Sequence, residues 1–176
     1  MSHLTDVPWP PDPITTDRLL LRPTKETDRP GYIELFCTDA ARRYLGGPLD
    51  RVEVEASMPA TPGHRPGVFA VESASEFIGV VTLDRRGPES PGHVRESANE
   101  VEIGYMFLPA SWGHGYATEA VAAVLVWAET HLPSEPIVLC TQAAHEASVR
   151  LAARLGFREV ERFVEYDAEQ WFAVRE

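Results

Sequence analysis

The sequence predicts a mixed α/β domain, in which a mostly antiparallel sheet carries helices on both faces. Three observations support this prediction. Short β-rich segments outnumber helices, a strand, a glycine turn and a helix follow one another over residues 101–129, and several β-rich neighbours are joined by short polar links. The strand–helix–strand unit requires a right-handed parallel crossover, whereas the hairpins require antiparallel neighbours, so a doubly wound parallel sheet does not fit.

The chain opens with a proline-rich segment and a strand. Residues 1–13 hold four prolines and lack periodicity, which predicts a loose arm before a single domain over residues 14–176. A strand over residues 16–22 contains three consecutive leucines and stops at Pro23.

Two helical segments and a loop come next. A helix is expected from about Asp28, which can cap it, and Pro30 is tolerable only in its first turn. A weaker helical segment spans residues 50–57. Residues 59–67 are rich in proline and glycine and can only form a loop.

The middle of the chain supplies a hairpin and the central strand. Two β-rich runs, residues 68–71 and 77–83, are separated by a short polar link. Residues 85–98 contain two prolines and two glycines and are expected to form a mobile loop. The apolar strand 101–108 then ends at Pro109, and an Ala- and Val-rich helix over residues 118–129 should be buried.

The last elements repeat the alternation of strand and helix. Residues 137–141 form a buried strand, and a helix over about residues 145–155 is stopped by Gly156. Residues 158–166 and 170–174 close the chain as a hairpin.

Composition limits the partners of this chain. The formal net charge is −11, with 27 acidic residues against 16 Lys and Arg. Such a surface repels nucleic acid and anionic lipid, and it tolerates a cationic substrate such as an amine. The same acidity would also serve solubility alone.

The remaining sequence signals point to a cytoplasmic protein without a metal. Cys37 and Cys140 lie in apolar segments, as expected for a reducing compartment rather than a disulfide framework. The N-terminus does not resemble a signal peptide, and no apolar stretch reaches the length of about 18 residues that spans a bilayer. No histidines have the spacing of zinc ligands.

A glycine turn, Trp112-Gly113-His114-Gly115-Tyr116-Ala117, joins the central strand to its helix. This order of elements directs backbone N–H groups and a helix N-terminus at one spot, which favours a phosphate group. A P-loop would need Lys followed by Ser or Thr after the last glycine, but Tyr116 and Ala117 stand there. A dinucleotide-binding turn would need Gly or Ala at the position of Thr118. The turn therefore fits neither kind of nucleotide site. Two glycines can also be ordinary turn residues.

The run from Trp112 to Ala120 resembles the acetyl-CoA signature of the GNAT N-acetyltransferases, especially their ribosomal-protein alanine acetyltransferase-like branch. Further pieces resemble that branch in the expected order, and together they cover about residues 14–175. These pieces are Thr16-Asp17-Arg18-Leu19-Leu20-Leu21-Arg22-Pro23, Glu102-Ile103-Gly104-Tyr105, His145-Glu146-Ala147-Ser148 and Arg154-Leu155-Gly156-Phe157.

The resemblance implies an acetyl-CoA-dependent N-acetyltransferase that acts by direct transfer in a ternary complex. The acceptor would be a primary amine of a small molecule or a protein N-terminus, and the enzyme a monomer or homodimer. It also implies a sheet of about seven strands with a splayed central parallel pair. Residues implied to contact the cofactor are Tyr105, Met106, Phe107, Leu108, Gly113, His114, Gly115, Tyr116, Ala117, Thr118 and His145.

Three positions depart from the family pattern. Trp112 stands where the general signature has Gln or Arg, although Trp is common in the branch named. His145 replaces an Asn that holds the pantetheine arm. Ala152 occupies the position of the tyrosine that protonates the leaving thiolate in many relatives, so that mechanism does not carry over.

The chemistry also needs a base for the cationic amine, and Glu102 is the first candidate. Strand alternation places Glu100 and Glu102 on one face, and Glu102 matches the family's most common base position. The alternative is that both glutamates form the solvent side of an edge-like strand. A further set of candidates lies in the last hairpin, where the acids could contact substrate or form an ordinary acidic turn: Glu165, Asp167 and Glu169.

A proton donor for the thiolate is expected on the helix over residues 145–155. Ser148 falls on the inward apolar stripe with Leu151 and Ala152, so it is the candidate acid or hydrogen-bond donor to sulfur. It could instead be a packing serine that bonds its own backbone. His145 would cap the helix or touch pantetheine.

Two functions from different classes remain open at this point. One is an active N-acetyltransferase, and the other is a non-catalytic acyl-CoA-binding or regulatory module on the same fold, which would keep Gly113 and Gly115 as well. A nucleotide hydrolase is disfavoured because the P-loop lysine is missing.

Overall fold

The computed structural model describes residues 2–4, 7–9 and 11–176. Its strands are β1 (Ser2–His3), β2 (Ile14–Thr15), β3 (Leu20–Arg22), β4 (Val68–Ser73), β5 (Glu76–Arg85), β6 (Val101–Phe107), β7 (Ile137–Gln142), β8 (Arg158–Glu165) and β9 (Ala168–Arg175). Its α-helices are α1 (Arg29–Cys37), α2 (Asp39–Arg42), α3 (Arg51–Ser57), α4 (Tyr116–His131) and α5 (Glu146–Arg154).

The strands form one mixed sheet, which confirms the predicted fold class. Along the sheet the order is β2-β3-β4-β5-β6-β7-β9-β8, and β1 pairs with the end of β5. The pairs are antiparallel except for β6 and β7, which are parallel. The parallel register covers only Val101 opposite Ile137 and Glu102 opposite Val138, so the two strands separate beyond Glu102.

Helices cover both faces of the sheet. On one face, apolar residues of α4 and α5 such as Val124 and Leu151 pack with Phe69 of β4 and Ile103 of β6. On the other face, Leu35 of α1 belongs to a smaller cluster with residues of β5 and β6. The sheet therefore presents one side of β6 to α5 and the other side to the α1–α3 region.

The first residues contribute to the core where the structure describes them. Leu4 is fully buried and Val7 nearly so, while the Trp9 ring meets Phe69 edge-on at 5.3 Å between centroids. These apolar side chains therefore attach the N-terminal segment to the core, although its sequence has no periodic pattern. The predicted loose arm over residues 1–13 lies partly outside the described residues, and the division into arm and domain stays a prediction.

The segment between β5 and β6 is held by a buried carboxylate. Glu100 has no exposed surface, and it accepts hydrogen bonds from the N–H groups of Val94 and Arg95 and contacts His93 Nδ1 at 2.8 Å. Burial raises the pKa of Glu100, but these hydrogen bonds outweigh it and leave the pKa below its usual value. The loop predicted to be mobile is therefore tied to the central strand.

Candidate active site

The glycine turn leaves backbone N–H groups pointing outward. Gly113 and Gly115 adopt φ values of +80° and +78°, which favour glycine because a Cβ would meet the backbone. Helix α4 begins at Tyr116 with Gly115 as its N-cap, and among the described residues no side chain caps it. The first helical N–H groups, at half-buried residues 116–118, lack intrahelical acceptors, and this arrangement at a helix N-terminus favours an anion.

Arg18, which sequence reasoning left without a role, braces this turn. Its Nη1 donates to the carbonyl oxygen of His114 at 2.8 Å, and its Nε donates to Glu119 at 2.8 Å. The guanidinium also lies over the Tyr116 ring, 4.7 Å from the centroid. Burial raises the pKa of Glu119, but hydrogen bonds from Thr16 and Arg18 more than compensate, so the carboxylate stays charged.

Where β6 and β7 separate, the backbone N–H and C=O groups of alternate residues of β6 do not pair with β7. The N–H of Leu108 donates to Ile78 and the N–H of Arg86 donates to Glu100, which fixes the even-numbered residues of β6 as those that bond to β5. The backbone groups of Tyr105 and Phe107 therefore face the other way, into the gap beside β7.

This parity corrects part of the expectation for residues 105–108. The N–H groups of Met106 and Leu108 are used within the sheet, so only Tyr105 and Phe107 can offer main-chain donors in the gap. The carbonyl of Phe107 accepts a hydrogen bond from Trp112 Nε1 at 2.8 Å. Trp112 thereby fixes the glycine turn to the end of β6.

Two hydroxyl groups meet at the same gap. The oxygens of Tyr105 and Ser148 are 2.7 Å apart, and Ser148 is 5% exposed. Burial raises the pKa of Tyr105, although the bond to Ser148 opposes this, so the phenol stays protonated at neutral pH. Ala152, at the family's usual tyrosine position, is fully buried. Strand alternation in the sequence predicts that Tyr105 and Glu102 lie on opposite faces, but no sequence pattern predicts the contact between Tyr105 and Ser148.

Glu102 lies inside the protein on the opposite side of β6 from Tyr105. It is 8% exposed and bonded to Arg86 at 2.8 Å. The interpretation of Glu100 and Glu102 as a solvent-facing pair is therefore wrong, because the loop between β5 and β6 covers them. Burial raises the pKa of Glu102, the Arg86 charge lowers it, and repulsion from Asp84 adds to the rise.

Arg86 is the partner that sequence reasoning missed. Besides Glu102, it bonds to the carbonyl oxygens of Gly92 and Pro91, and its guanidinium lies 5.1 Å from the Phe172 ring centroid. It is 3% exposed. One buried guanidinium thus joins the loop to the candidate base.

The three acids of the last hairpin, Glu165, Asp167 and Glu169, have different surroundings. Glu165 is close enough for its charge to raise the pKa of Glu102. Asp167 sits in the exposed turn with φ of +58°, and Glu169 pairs with Arg162 at 3.1 Å on the surface. Strand alternation turns Glu169 away from the face that Glu165 shares, so Glu165 alone of the three remains next to the candidate base.

Both histidines predicted to contact the cofactor make ring stacks. His145 does not cap α5 with its side chain but stacks on Tyr44 with 4.4 Å between centroids, and burial lowers its pKa, which favours the neutral imidazole. His114 stacks on Tyr116 at 5.4 Å in the exposed turn. Tyr44 follows α2, so the His145 stack connects the α1–α3 side to α5.

A cavity of about 540 Å³ opens on the α1–α3 side of β6. Its lining reaches the central strands at Thr82, Gly104 and Met106 and extends outward along α1 and α3. Because Gly104 has no side chain, the cavity reaches the backbone of β6. The edge of β6 next to β7 faces the gap.

Three further observations concern the described residues 2–4, 7–9 and 11–176. Both cysteines there are free thiols, and burial raises the pKa of Cys140 to about 11. In the same ranges, no group of three or more His, Cys, Asp or Glu side chains could hold a metal ion. None of the helices in this part of the chain is long and apolar enough to cross a membrane.

The chain is similar to known proteins over most of its length. A family described as an acetyltransferase (GNAT) domain matches residues 18–158. The uncharacterized N-acetyltransferase YoaA from Bacillus subtilis (strain 168) is 26% identical over 155 residues, which cover 83% of this chain and 82% of YoaA.

Solved structures share the fold. An acetyltransferase of the GNAT family from Bacillus anthracis is 19% identical, with a TM-score of 0.74 over 93% of this chain and 97% of that one. RimL, a ribosomal L7/L12 alpha-N-protein acetyltransferase solved in complex with coenzyme A, is 16% identical. Its TM-score is 0.65 over 93% of this chain and 97% of RimL.

Proposed function

The chain belongs to the GNAT family of N-acetyltransferases, and we propose that it moves the acetyl group of acetyl-CoA directly to a primary amine in a ternary complex. The observation that carries this proposal is the separation of β6 from β7 beyond Glu102. It places open backbone groups between the glycine turn and the cavity on the α1–α3 side. Cofactor and acceptor would then approach one strand from opposite sides.

Acetyl-CoA would bind along the gap. Its pyrophosphate would lie on the N–H groups of residues 113–118, where the exposed N-terminus of α4 favours an anion. Arg18 would support that turn, while its own charge is balanced by Glu119. The N–H groups of Tyr105 and Phe107 would polarise the thioester carbonyl, the role of preorganised donors in acyl transfer.

Glu102 would receive the proton of the amine. A general base works best when its pKa lies near the working pH, and burial moves the pKa of Glu102 upward in that direction. Because Arg86 already holds the carboxylate, the proton would reach Glu102 through water rather than by direct contact. Glu165 would keep the pKa of Glu102 raised.

The leaving thiolate would be protonated by the hydroxyl pair of Tyr105 and Ser148. Ser148 takes over the task for which many relatives use a tyrosine at the position of Ala152, and Tyr105 supplies a second hydroxyl to reprotonate it. The sequence of events balances: Glu102 takes one proton from the ammonium group through water, the neutral nitrogen attacks the carbonyl carbon, and the carbon–sulfur bond breaks. The sulfur takes a proton from the hydroxyl pair, and the second proton lost by the nitrogen passes through water to restore that pair. Glu102 then releases its proton to solvent, so one proton is set free for each acetyl group transferred.

The acceptor would be a small-molecule amine or a protein N-terminus in the cytoplasm. RimL is named for acetylation of a protein N-terminus, which supports the second possibility. The acidic character of the chain, with a net charge of −11, would favour the approach of a protonated amine.

Free-thiol release from acetyl-CoA in the presence of an amine panel tests the proposal. We expect amine-dependent thiol release, together with acetyl-CoA binding in calorimetry and no comparable binding of ATP. Acetyl-CoA binding with no acetylation of any amine would overturn the proposal and favour a non-catalytic acyl-CoA-binding module.

A further inference from the structure

The cavity on the α1–α3 side has an unusually one-sided lining for a site that takes an amine. Most of its wall is apolar, with Leu35, Phe36, Val80 and Met106 from α1, β5 and β6 and further apolar side chains from residues 45–68. Among the described residues that line it, Arg65 is the only charged one. Its guanidinium is engaged with both carboxylate oxygens of Asp84, at 2.6 and 3.0 Å.

We propose that this cavity selects an acceptor amine with an uncharged, apolar arm and rejects polyamines and other polycations. The inference rests on the proposed acetyl transfer, because it names the substrate class of that site. A second ammonium group in the cavity would meet no carboxylate on the described lining, and the one charged lining residue, Arg65, is a cation already paired with Asp84. Placing an unpaired charge in apolar surroundings costs several kcal/mol.

The apolar character continues to the surface at the mouth of the cavity. Leu45 and Leu49 both line it, and they are 49% and 45% exposed. Large apolar side chains that stay exposed beside a cavity commonly mark a binding site for apolar groups. An acceptor arm could therefore extend outward and cover these leucines.

A buried hydroxyl in the wall also indicates a ligand site. Tyr32 is 5% exposed and lines the cavity, and its Oη has no hydrogen-bond partner among the described residues. Burial raises its pKa, so it remains a neutral phenol. Such a group is costly unless a ligand supplies a partner, so an arm with one uncharged polar atom would fit better than a purely aliphatic one.

The same lining assists the chemistry of an amine. Apolar surroundings disfavour the ammonium form and lower the pKa of a bound amine. The acceptor would therefore lose its proton more easily on entering, which reduces the demand on Glu102. A polyamine would lose this advantage, since its second charged nitrogen would have to remain solvated.

A matched pair of amines tests the selection. Hexylamine and 1,6-diaminohexane have the same length and differ in whether the far end is a methyl or an ammonium group. We expect kcat/KM to be about 100-fold higher for hexylamine, the ratio that corresponds to a charge-burial cost of a few kcal/mol. Equal values, or a preference for the diamine, would overturn the proposal.

Two surface variants locate the effect. Leu49→Glu adds a carboxylate at the mouth of the cavity and should reduce the preference for hexylamine by about 10-fold, the scale of one favourable charge pair. Val52→Glu is the matched control, since Val52 lies on α3, is 74% exposed and does not line the cavity. An equal shift in both variants would mean that overall charge, not the cavity, sets the preference.

Direct binding keeps the inference separate from the proposed function. Calorimetry measures the affinity of both amines for the protein loaded with CoA, where no transfer can occur. Tighter binding of hexylamine without acetylation of any amine would refute the transfer reaction and retain the selective cavity. Acetylation of amines with no preference in binding or in kcat/KM would support the transfer reaction and refute the selective cavity.

Discussion

Removing the hydroxyl of Tyr105 tests the proposed route of the proton to the thiolate. In Tyr105→Phe the ring remains, but the Oγ of buried Ser148 loses the partner that lies 2.7 Å away. An unsatisfied buried hydroxyl costs about 1–3 kcal/mol, so we expect the free energy of unfolding to fall by an amount in that range. Ser148→Ala should have a smaller effect, because Tyr105 is only partly buried and can turn to water.

The kinetic effect should appear in kcat. Loss of a general acid typically reduces the rate by about 10²–10⁴-fold, and the remaining serine would place Tyr105→Phe at the low end of that range. Acetyl-CoA affinity should stay unchanged, since the glycine turn and the backbone of β6 are untouched. Thiol release at saturating acetyl-CoA measures kcat, and calorimetry measures the affinity.

A double-mutant cycle separates a working pair from two independent residues. Tyr105→Phe combined with Ser148→Ala should cost little more in kcat than the worse single variant, because both serve one proton transfer. Tyr166→Phe, at a residue 85% exposed in the hairpin turn, is the control and should behave as the unaltered protein. Multiplicative effects of the two variants, or an unchanged kcat in Tyr105→Phe, would refute the reasoning.

Three further predictions concern the cofactor turn, the base and the acceptor cavity. Gly115→Glu should abolish acetyl-CoA binding in calorimetry, whereas Gly46→Glu, also at a positive φ but in another loop, should share the strain and keep the binding. The pKa of Glu102 is raised, so kcat/KM should fall as the pH drops through that pKa. Glu102→Gln should remove this acidic limb of the pH profile. Arg86→Met should move the limb to higher pH, because the guanidinium lowers the pKa of Glu102. An unmoved limb in Arg86→Met would exclude Glu102 as the base. Tyr32→Phe should raise the free energy of unfolding by about 1 kcal/mol, since it removes an unsatisfied hydroxyl, and a loss of stability in thermal unfolding would show that the hydroxyl is paired.

Local patterns in the sequence account for the architecture but not for the pairings within the site. Hydrophobic alternation and turn residues predict the hairpins, and the glycine turn predicts where an anion could bind. The contacts of Arg18 with His114 and Glu119 join residues 96 and 101 positions apart, which no periodicity encodes. The sequence also does not predict the two short strands β1 and β2, because a two-residue strand carries no pattern.

Burial of charge was the hardest property to predict. Two glutamates at alternate positions, Glu100 just before β6 and Glu102 within it, look like the exposed side of a strand, since isolated carboxylates avoid the interior. Here a loop without regular structure covers them, and it supplies N–H groups to Glu100 and the guanidinium of Arg86 to Glu102. Loops of this kind have no periodic signature, so the environment of the candidate base follows only from the folded chain.

The register of β6 decides which proposed reacting groups lie on each face of the strand and which backbone N–H groups lie along its open edge. Gly104 lines the proposed acceptor cavity, and Glu102 lies on the same face of β6 but outside that lining, while the Tyr105 hydroxyl bonds to Ser148 of α5 on the other face. The backbone N–H groups that open into the gap belong to Tyr105 and Phe107, whose side chains share one face of β6, because side chains and hydrogen-bonding edges both alternate with a period of two. A shift of one residue would exchange the base and the acid and close the open N–H groups. The seven residue pairs between β5 and β6 therefore fix the positions of the proposed reacting groups and also contribute to the stability of the sheet.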